Sequence, residues 1–183
     1  MKAIQIPEQG VLKVVDIEKP VCHDGEVLLK IKYVGFCGSD LNTYRGGNAM
    51  AKASVIPGHE IGAEIVEIGS GVPNSLKLGM TVTVNPYTNC GYCSSCRNRR
   101  YNACEHNETL GVQRDGAMCE YLALPWQKVI PVEGISARNC AIIEPMSVGF
   151  HAVNRAQVVD TDTVMVIGCG MVGIGAIVRS VVR

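Results

Sequence analysis

The sequence predicts a mainly β unit of about 150 residues, followed by the first strand and helix of an α/β unit. Short apolar runs separated by glycine-rich turns continue to about residue 135, and strands at such spacing are typical of barrels and sandwiches. Beyond that point the pattern becomes helical, and an apolar strand precedes closely spaced glycines and an apolar helix. We therefore divide the chain into domains at residues 1–150 and 151–183.

Seven short segments of the first unit have the composition of strands and end at turn residues such as Asp24-Gly25 and Asp115-Gly116. The segment from about residue 87 to 107 differs, because it lacks periodicity and is rich in Cys and Asn. We predict a lobe with little regular structure there. The predicted strands are 2–6, 12–17, 26–34, 62–68, 81–84, 120–124 and 128–131.

Helical signals begin after Gly134. Ser136 is a residue type that caps helices, and we expect a helix from there through Ile142. A second helix is expected at 147–156. Residues 163–167 have the pattern of a buried strand, and an apolar helix follows the glycines. A strand followed by a helix is the first half of a βαβ unit.

Charge and composition argue against several classes of partner. The chain has 17 basic and 17 acidic residues, which gives no indication of nucleic acid or an anionic membrane surface. The N-terminus lacks the apolar stretch of a signal peptide, and the apolar region 164–182 is interrupted by four glycines and an arginine, so it fails as a membrane span. We therefore expect a cytoplasmic protein, in which clustered cysteines bind metal more often than they form disulfides.

Four of the nine cysteines lie within fifteen residues, in the spacing C-x2-C-x2-C-x7-C. Four thiolates suit a closed tetrahedral zinc site that ties down an otherwise loose loop. An iron–sulfur cluster also takes four thiolates, and four unrelated free thiols are the plainest alternative. Crowding argues against free thiols, so we predict a structural zinc in the lobe. Its ligands would be Cys90, Cys93, Cys96 and Cys104.

The cysteine spacing occurs together with other motifs in a fixed order: blocks at 35–40, 58–60 and 144–149, and the glycines at 168–173. In these motifs the chain resembles the front part of the zinc-containing medium-chain dehydrogenase/reductase family, over essentially its whole length. The resemblance implies a GroES-like β-barrel followed by the start of a Rossmann domain. It also implies two zinc ions per chain, NAD or NADP, and a homo-oligomer (dimer or tetramer) for the full-length protein.

The resemblance makes Cys37 and His59 ligands of a catalytic zinc, with Glu60 and Glu144 as acidic residues that share or exchange the ligand role. Such a set leaves a coordination position open for substrate. Taken singly, each residue has a plain alternative: a core thiol, a hydrogen-bonded histidine or a carboxylate capping a turn. Glu144 stands where simple-alcohol dehydrogenases carry a second cysteine, so the chain is closer to the polyol and sugar-acid branch.

The resemblance also implies the chemistry. Zinc would lower the pKa of an alcohol, and the alkoxide would pass hydride to nicotinamide. Ser39 would take the alcohol proton, and Asp40 would hydrogen-bond the far nitrogen of His59. Asn42 stands where many relatives carry a histidine. Because an amide cannot take up a proton at neutral pH, we expect the relay to end in water or another group.

Gly168, Gly170 and Gly173 form the pattern G-x-G-x-x-G. The pattern alone is weak, but between a predicted strand and a predicted helix it matches the dinucleotide fingerprint. Gly168 would make the turn, Gly170 would admit the pyrophosphate and Gly173 would let helix and strand pack. The acidic residue that selects NAD over NADP would follow about twenty residues later, so the choice stays open.

We predict a zinc-dependent, NAD(P)-linked dehydrogenase acting on a secondary alcohol of a polyol or sugar acid, a small-molecule substrate. A simple-alcohol dehydrogenase and a non-catalytic zinc-binding GroES-like module are the alternatives. One strand and one helix do not complete a nucleotide-binding sheet. We therefore expect the chain to be part of a longer protein and to be inactive by itself.

Overall fold

The computed structural model describes residues 1–182, so Arg183, the last residue of the second predicted unit, lies outside it. The described residues form seven strands: β1 Lys2–Gln5, β2 Lys13–Asp16, β3 Glu26–Gly35, β4 Glu60–Ile68, β5 Thr81–Val84, β6 Tyr121–Pro125 and β7 Val129–Pro131. The α-helices are α1 Gly38–Tyr44, α2 Ser94–Arg97, α3 Ala137–Cys140, α4 Ile143–Ala156 and α5 Met171–Val181. All seven predicted strands of the first unit are confirmed to within two residues.

Five strands form one antiparallel sheet in the order β6-β3-β4-β5-β7, and β1 pairs with β2 in a separate ribbon. Alternate residues of the central strands face one core, as expected for a sheet buried on one face. This core contains Val27, Leu29, Ile61, Ala63, Ile65, Val82 and Val84. The sheet is the frame from which β3 and β4 present the candidate site.

The two longest helices pack at a pair of glycines. A Cβ atom on Gly149 of α4 would overlap the Val172 carbonyl oxygen of α5, and one on Gly175 of α5 would overlap the Met146 backbone of α4. Close backbone approach is possible there because neither residue has a side chain. Helix α4 runs across the predicted boundary at residue 150, so the division into two domains stays a prediction.

The predicted strand at 163–167 is wrong. These residues have no regular structure, and Met165 and Ile167 are 80% and 88% exposed. A strand needs a neighbour to complete its backbone hydrogen bonds, and within residues 1–182 no strand lies beside this segment. The helix after the glycines does form, as α5. The structure therefore contains the predicted turn and helix without the first strand of a Rossmann sheet.

In the part of the chain that the structure describes, no helix combines the length and apolar character needed to cross a membrane.

Candidate metal centres

The four cysteines of the lobe converge on one point. Their sulfur atoms all lie within 4.8 Å of one another. Two of the separations are 3.9 Å, between Cys90 and Cys96, and 4.0 Å, between Cys93 and Cys104. A tetrahedron with metal–sulfur bonds of about 2.3 Å has an edge of about 3.8 Å, so one tetrahedral ion fits among these atoms.

The same sulfur–sulfur distances distinguish between a single metal ion, an iron–sulfur cluster and a disulfide. A disulfide would bring two sulfurs to about 2.05 Å, and all four cysteines are free. An iron–sulfur cluster places several metal ions and sulfides between its thiolates, which needs them farther apart than this. The geometry therefore favours a single ion.

Backbone amides surround the sulfurs. The Cys93 amide donates to the Cys90 sulfur at 3.3 Å, and the Cys96 amide donates to the Cys93 sulfur at 3.4 Å. The Cys104 sulfur accepts from the amides of Cys90 and His106, both at 3.3 Å. Hydrogen bonds from amides favour the charged thiolate, and they lower the pKa of Cys93 and of Cys104. Thiolates are the form in which cysteine binds metal.

A half-buried lysine stands beside this cluster. The Lys128 Nζ atom donates to the Asn89 side-chain oxygen at 2.7 Å. Burial lowers the pKa of Lys128, while the negative charges of Cys104 and Cys96 act in the opposite direction. The Lys128 ammonium group would balance part of the negative charge that cysteine ligands carry in a metal site.

A second group of ligand atoms forms where β3 ends and β4 begins. Cys37 follows β3 as the N-cap residue of α1, and Glu60 is the first residue of β4. The potential ligand atoms of Cys37, His59 and Glu60 lie within 4.8 Å of one another, and we call this group the open cluster. Gly35 faces Glu60 across the β3–β4 pair, and a Cβ atom on Gly35 would overlap the Glu60 carboxylate. The carboxylate thus occupies space that a side chain at position 35 would take.

Asp40 supports the open cluster, but not in the way predicted. Its fully buried carboxylate accepts hydrogen bonds from the amides of Cys37 at 3.0 Å and Gly58 at 3.2 Å. Its Oδ1 atom is 4.0 Å from the His59 Nδ1 atom, which is too far for a hydrogen bond. The predicted Asp40–His59 hydrogen bond is therefore wrong: the carboxylate lies where it accepts from the two amides, and at that position its Oδ1 atom does not reach the His59 nitrogen. Asp40 instead fixes the backbone on either side of the cluster.

Ser39 lies next to Cys37 in the first turn of α1. Its Oγ atom is buried and has no hydrogen-bond partner within the described residues. A buried hydroxyl without a partner is costly, so this atom is available to a group that enters the site. Asn42, one turn farther along α1, is exposed.

Glu144 lies beside the open cluster without belonging to it. It is in the first turn of α4, and its Oε1 atom accepts a hydrogen bond of 3.4 Å from the Tyr87 hydroxyl. Burial raises the pKa of Glu60, and the negative charge of Glu144 adds to that rise. The structure therefore brings Cys37, His59 and Glu60 together and places Glu144 at their edge.

Tyr87 is a site residue that the sequence analysis missed. Burial raises the pKa of its hydroxyl, and the negative charges of Glu144 and Cys37 raise it further, which indicates that both groups are close to the phenol. No sequence signal could have identified it, since Tyr87 and Glu144 are 57 positions apart. Three other polar residues lie at the surface and outside the open cluster: His106 lies against the Tyr92 ring, and His151 and Arg45 are exposed.

The three fingerprint glycines shape the turn before α5. Gly168 has a φ of +96°, a conformation that favours glycine. A Cβ atom on Gly173 would overlap the Gly168 carbonyl oxygen, and Gly170 is the N-cap residue of α5. The glycines thus form a compact turn before α5, and residues 168–170 are exposed.

Comparison with known proteins gives concordant matches. Residues 23–134 match the family described as the alcohol dehydrogenase GroES-like domain. The L-galactonate-5-dehydrogenase of Escherichia coli is 40% identical over 159 residues, which are 87% of this chain and 46% of that protein. The sorbitol dehydrogenase of Bacillus subtilis is 36% identical over 182 residues, 97% of this chain and 51% of that protein.

Solved structures agree with this match. The galactitol-1-phosphate dehydrogenase of Escherichia coli has a TM-score of 0.90 at 32% identity, over 99% of this chain and 52% of that chain. A short chain alcohol dehydrogenase of Escherichia coli complexed with NADH has a TM-score of 0.87 at 34% identity, over 96% of this chain and 51% of that chain. The chain thus spans about half the length of the curated relatives it matches.

Proposed function

The chain belongs to the zinc-type alcohol dehydrogenase family with a GroES-like domain, and from that membership we propose that it forms the metal-binding, substrate-facing part of an NAD(P)-linked dehydrogenase for polyols or sugar acids. One observation carries the proposal. The sulfur of Cys37, the imidazole of His59 and the carboxylate of Glu60 lie within 4.8 Å of one another, and the buried Ser39 hydroxyl beside them has no partner among the described residues. Three such ligands leave a fourth position for substrate, as in catalytic zinc sites.

Cys37, His59 and Glu60 would hold the catalytic zinc. When bound, zinc supplies a Lewis acid that lowers the pKa of an alcohol. The buried Ser39 hydroxyl would accept the proton of the substrate alcohol and pass it outward, since its Oγ atom has no other partner in the described residues. Asn42 offers no basic atom for the next step, so water would receive the proton at the exposed side of α1.

The remaining residues would bind and stabilise. Gly168, Gly170 and Gly173 would let the backbone at the start of α5 approach the pyrophosphate of NAD or NADP. Cys90, Cys93, Cys96 and Cys104 would hold a second, structural zinc that has no open position. These two roles divide the chain into a reacting centre and a support.

The substrate class rests on Glu144 and on the relatives. Glu144 occupies the edge of the open cluster as a carboxylate, where the simple-alcohol branch has a cysteine. L-galactonate-5-dehydrogenase and sorbitol dehydrogenase are named for a sugar acid and a polyol. Both observations favour a secondary alcohol of a polyhydroxylated substrate over a simple alcohol.

Cobalt substitution tests this proposal on the chain as it is. Co²⁺ bound to one thiolate and two harder ligands absorbs visible light, and a polyol that enters the open position should change the spectrum. We expect sorbitol or galactonate to alter the spectrum of the wild-type chain and to leave that of Cys37→Ser unaltered. Identical responses from both proteins would contradict a substrate position at Cys37.

The alternatives give different results in the same experiment. A non-catalytic zinc-binding module would bind cobalt in the lobe alone, and no alcohol would alter its spectrum. A simple-alcohol dehydrogenase would respond to ethanol at concentrations where the polyols have no effect. Comparing the three ligands therefore separates the three functions.

A further inference from the structure

Tyr87 connects the two candidate metal centres. It is the first residue of the lobe, and its backbone is fixed by a bridge to Thr109 and by a hydrogen bond from its amide to the Asn85 side chain at 3.1 Å. From this fixed position the side chain extends to Glu144, which lies beside the open cluster. Its hydroxyl donates to Glu144 at 3.4 Å, and the charge of Cys37 also acts on it.

Two electrostatic forces act on the Glu144 carboxylate: repulsion by Glu60 and, with a metal bound, attraction towards the cation. It lies close enough to Glu60 for the two negative charges to oppose each other. A cation held by Cys37, His59 and Glu60 would attract it strongly, because a carboxylate oxygen is a good zinc ligand. In the structure the Tyr87 hydroxyl is the group that occupies its Oε1 atom. The first turn of α4 adds a favourable helix dipole at the same place.

We infer that Tyr87 is a positioning residue that holds Glu144 outside the Cys37–His59–Glu60 cluster, and so keeps the fourth metal position free for substrate. The inference rests on the proposed function, because it requires a metal at the open cluster. The lobe then has a second role besides binding its own zinc, because it carries Tyr87, the side chain that keeps Glu144 from coordinating the metal of the open cluster. Exchange between Glu60 and Glu144 as ligand would then require release of the Tyr87 hydrogen bond.

A double-mutant cycle tests this inference. The zinc affinity of the open cluster is measured by chelator competition, and its signal is identified by its loss in Cys37→Ser. Tyr87→Phe removes the hydroxyl and keeps the ring. If Glu144 is then free to coordinate, zinc should bind about 3- to 10-fold more tightly, which is the size expected from one ordinary, partly exposed hydrogen bond. In the Glu144→Gln background the same substitution should have no effect.

Two further measurements distinguish positioning from a general structural effect. Tyr101→Phe changes an exposed tyrosine of the same lobe, and it should leave the affinity unchanged. With cobalt in the open cluster, Tyr87→Phe should change the visible spectrum as a carboxylate joins the metal, and Tyr87→Phe/Glu144→Gln should not.

Unchanged or weaker zinc binding in Tyr87→Phe would overturn the inference, as would an equal change in both backgrounds. A wild-type chain whose zinc binding does not depend on Cys37 would instead overturn the proposed function. The two failures are therefore distinguishable.

Discussion

The position of the Glu60 carboxylate depends on the absence of a side chain at Gly35. Gly35 lies opposite Glu60, and a Cβ atom there would overlap the Glu60 carboxylate. Gly35→Ala should push the carboxylate out of the open cluster and weaken its zinc binding by at least about 10-fold, because the loss of a group that only supports a ligand already weakens binding by about that factor. Chelator competition measures this change.

Gly38→Ala provides the control for Gly35. Gly38 lies three positions away, in the first turn of α1, and a Cβ atom there would meet no other atom within 4 Å. Zinc affinity should stay close to the wild-type value in this variant. Equal weakening in both variants would show that the effect comes from the backbone and not from Glu60.

Glu60 makes the metal-free chain sensitive to pH. Burial raises the pKa of its carboxyl above the ordinary value of 4.5, so the folded state favours the neutral form. The stability that this group contributes is present below its ordinary pKa and is lost as the pH rises through the raised value. Glu60→Gln should therefore be more stable than the metal-free wild type at neutral pH, with the difference vanishing near pH 4.

Thermal unfolding of both metal-free proteins between pH 4 and pH 8 measures this difference. Addition of zinc should reverse the order, since the wild-type carboxylate then faces a cation and the amide does not bind it as well. A stability difference between the two proteins that stays constant across the pH range would contradict a partly buried carboxyl group with a raised pKa at position 60.

At the scale of elements, the crossing of α4 and α5 depends on close backbone contact at Gly149 and Gly175. Alanine normally stabilises a helix relative to glycine by about 1 kcal/mol. Gly175→Ala should instead lower the free energy of unfolding by about 1–3 kcal/mol, because its Cβ atom would overlap the Met146 backbone. Denaturant unfolding measures the change, and a gain in stability would show that α5 does not pack on α4 as described.

We expect the lobe to depend more on bound metal than any other part of the described chain. It has little regular structure, and within it Cys93, Cys96 and Cys104 are the buried core. Cys93→Ser should remove the lobe zinc and lower the free energy of unfolding by roughly 3–5 kcal/mol. Ser94→Ala, at an exposed neighbour, should change it little. Unchanged stability together with unchanged zinc content in Cys93→Ser would contradict a structural metal site.

The sequence predicted those elements whose formation depends on local residue patterns. Turn residues and the alternation of apolar and polar residues were sufficient to predict β1–β7. The spacing of the four lobe cysteines was sufficient to predict that their sulfur atoms lie together. The prediction failed at 163–167, because an apolar β-branched run becomes a strand only beside another strand. Helix α5 formed without that strand because its hydrogen bonds lie within the helix and it packs on α4.

The candidate site was harder to predict, because its residues lie on separate elements. Cys37, His59 and Glu144 are distant in the sequence, and their grouping was inferred from the family resemblance. The predicted Asp40–His59 hydrogen bond failed because two backbone amides position the carboxylate away from the imidazole, and no sequence pattern reveals those contacts. Tyr87 was missed because a contact between a loop and a helix leaves no periodic pattern.

At the scale of the whole molecule, the two candidate metal centres would have different mechanical roles. The four-cysteine cluster closes a lobe on itself, whereas the open cluster joins the end of β3 to the start of β4 in the central sheet. We therefore expect the sheet to hold the open cluster even when the lobe is perturbed, and Tyr87, through its hydrogen bond to Glu144, is the side chain by which we propose that the lobe acts on it. The central claim is that one chain carries two distinct metal sites, one closed and one open.

The number of zinc ions per chain tests this claim most directly. Native mass spectrometry of the zinc-loaded protein counts the ions on each folded chain. We predict two ions for the wild-type chain and one for Cys37→Ser, with the remaining ion retained by the lobe. One ion on the wild-type chain, or two on Cys37→Ser, would contradict the assignment of Cys37, His59 and Glu60 as a metal site.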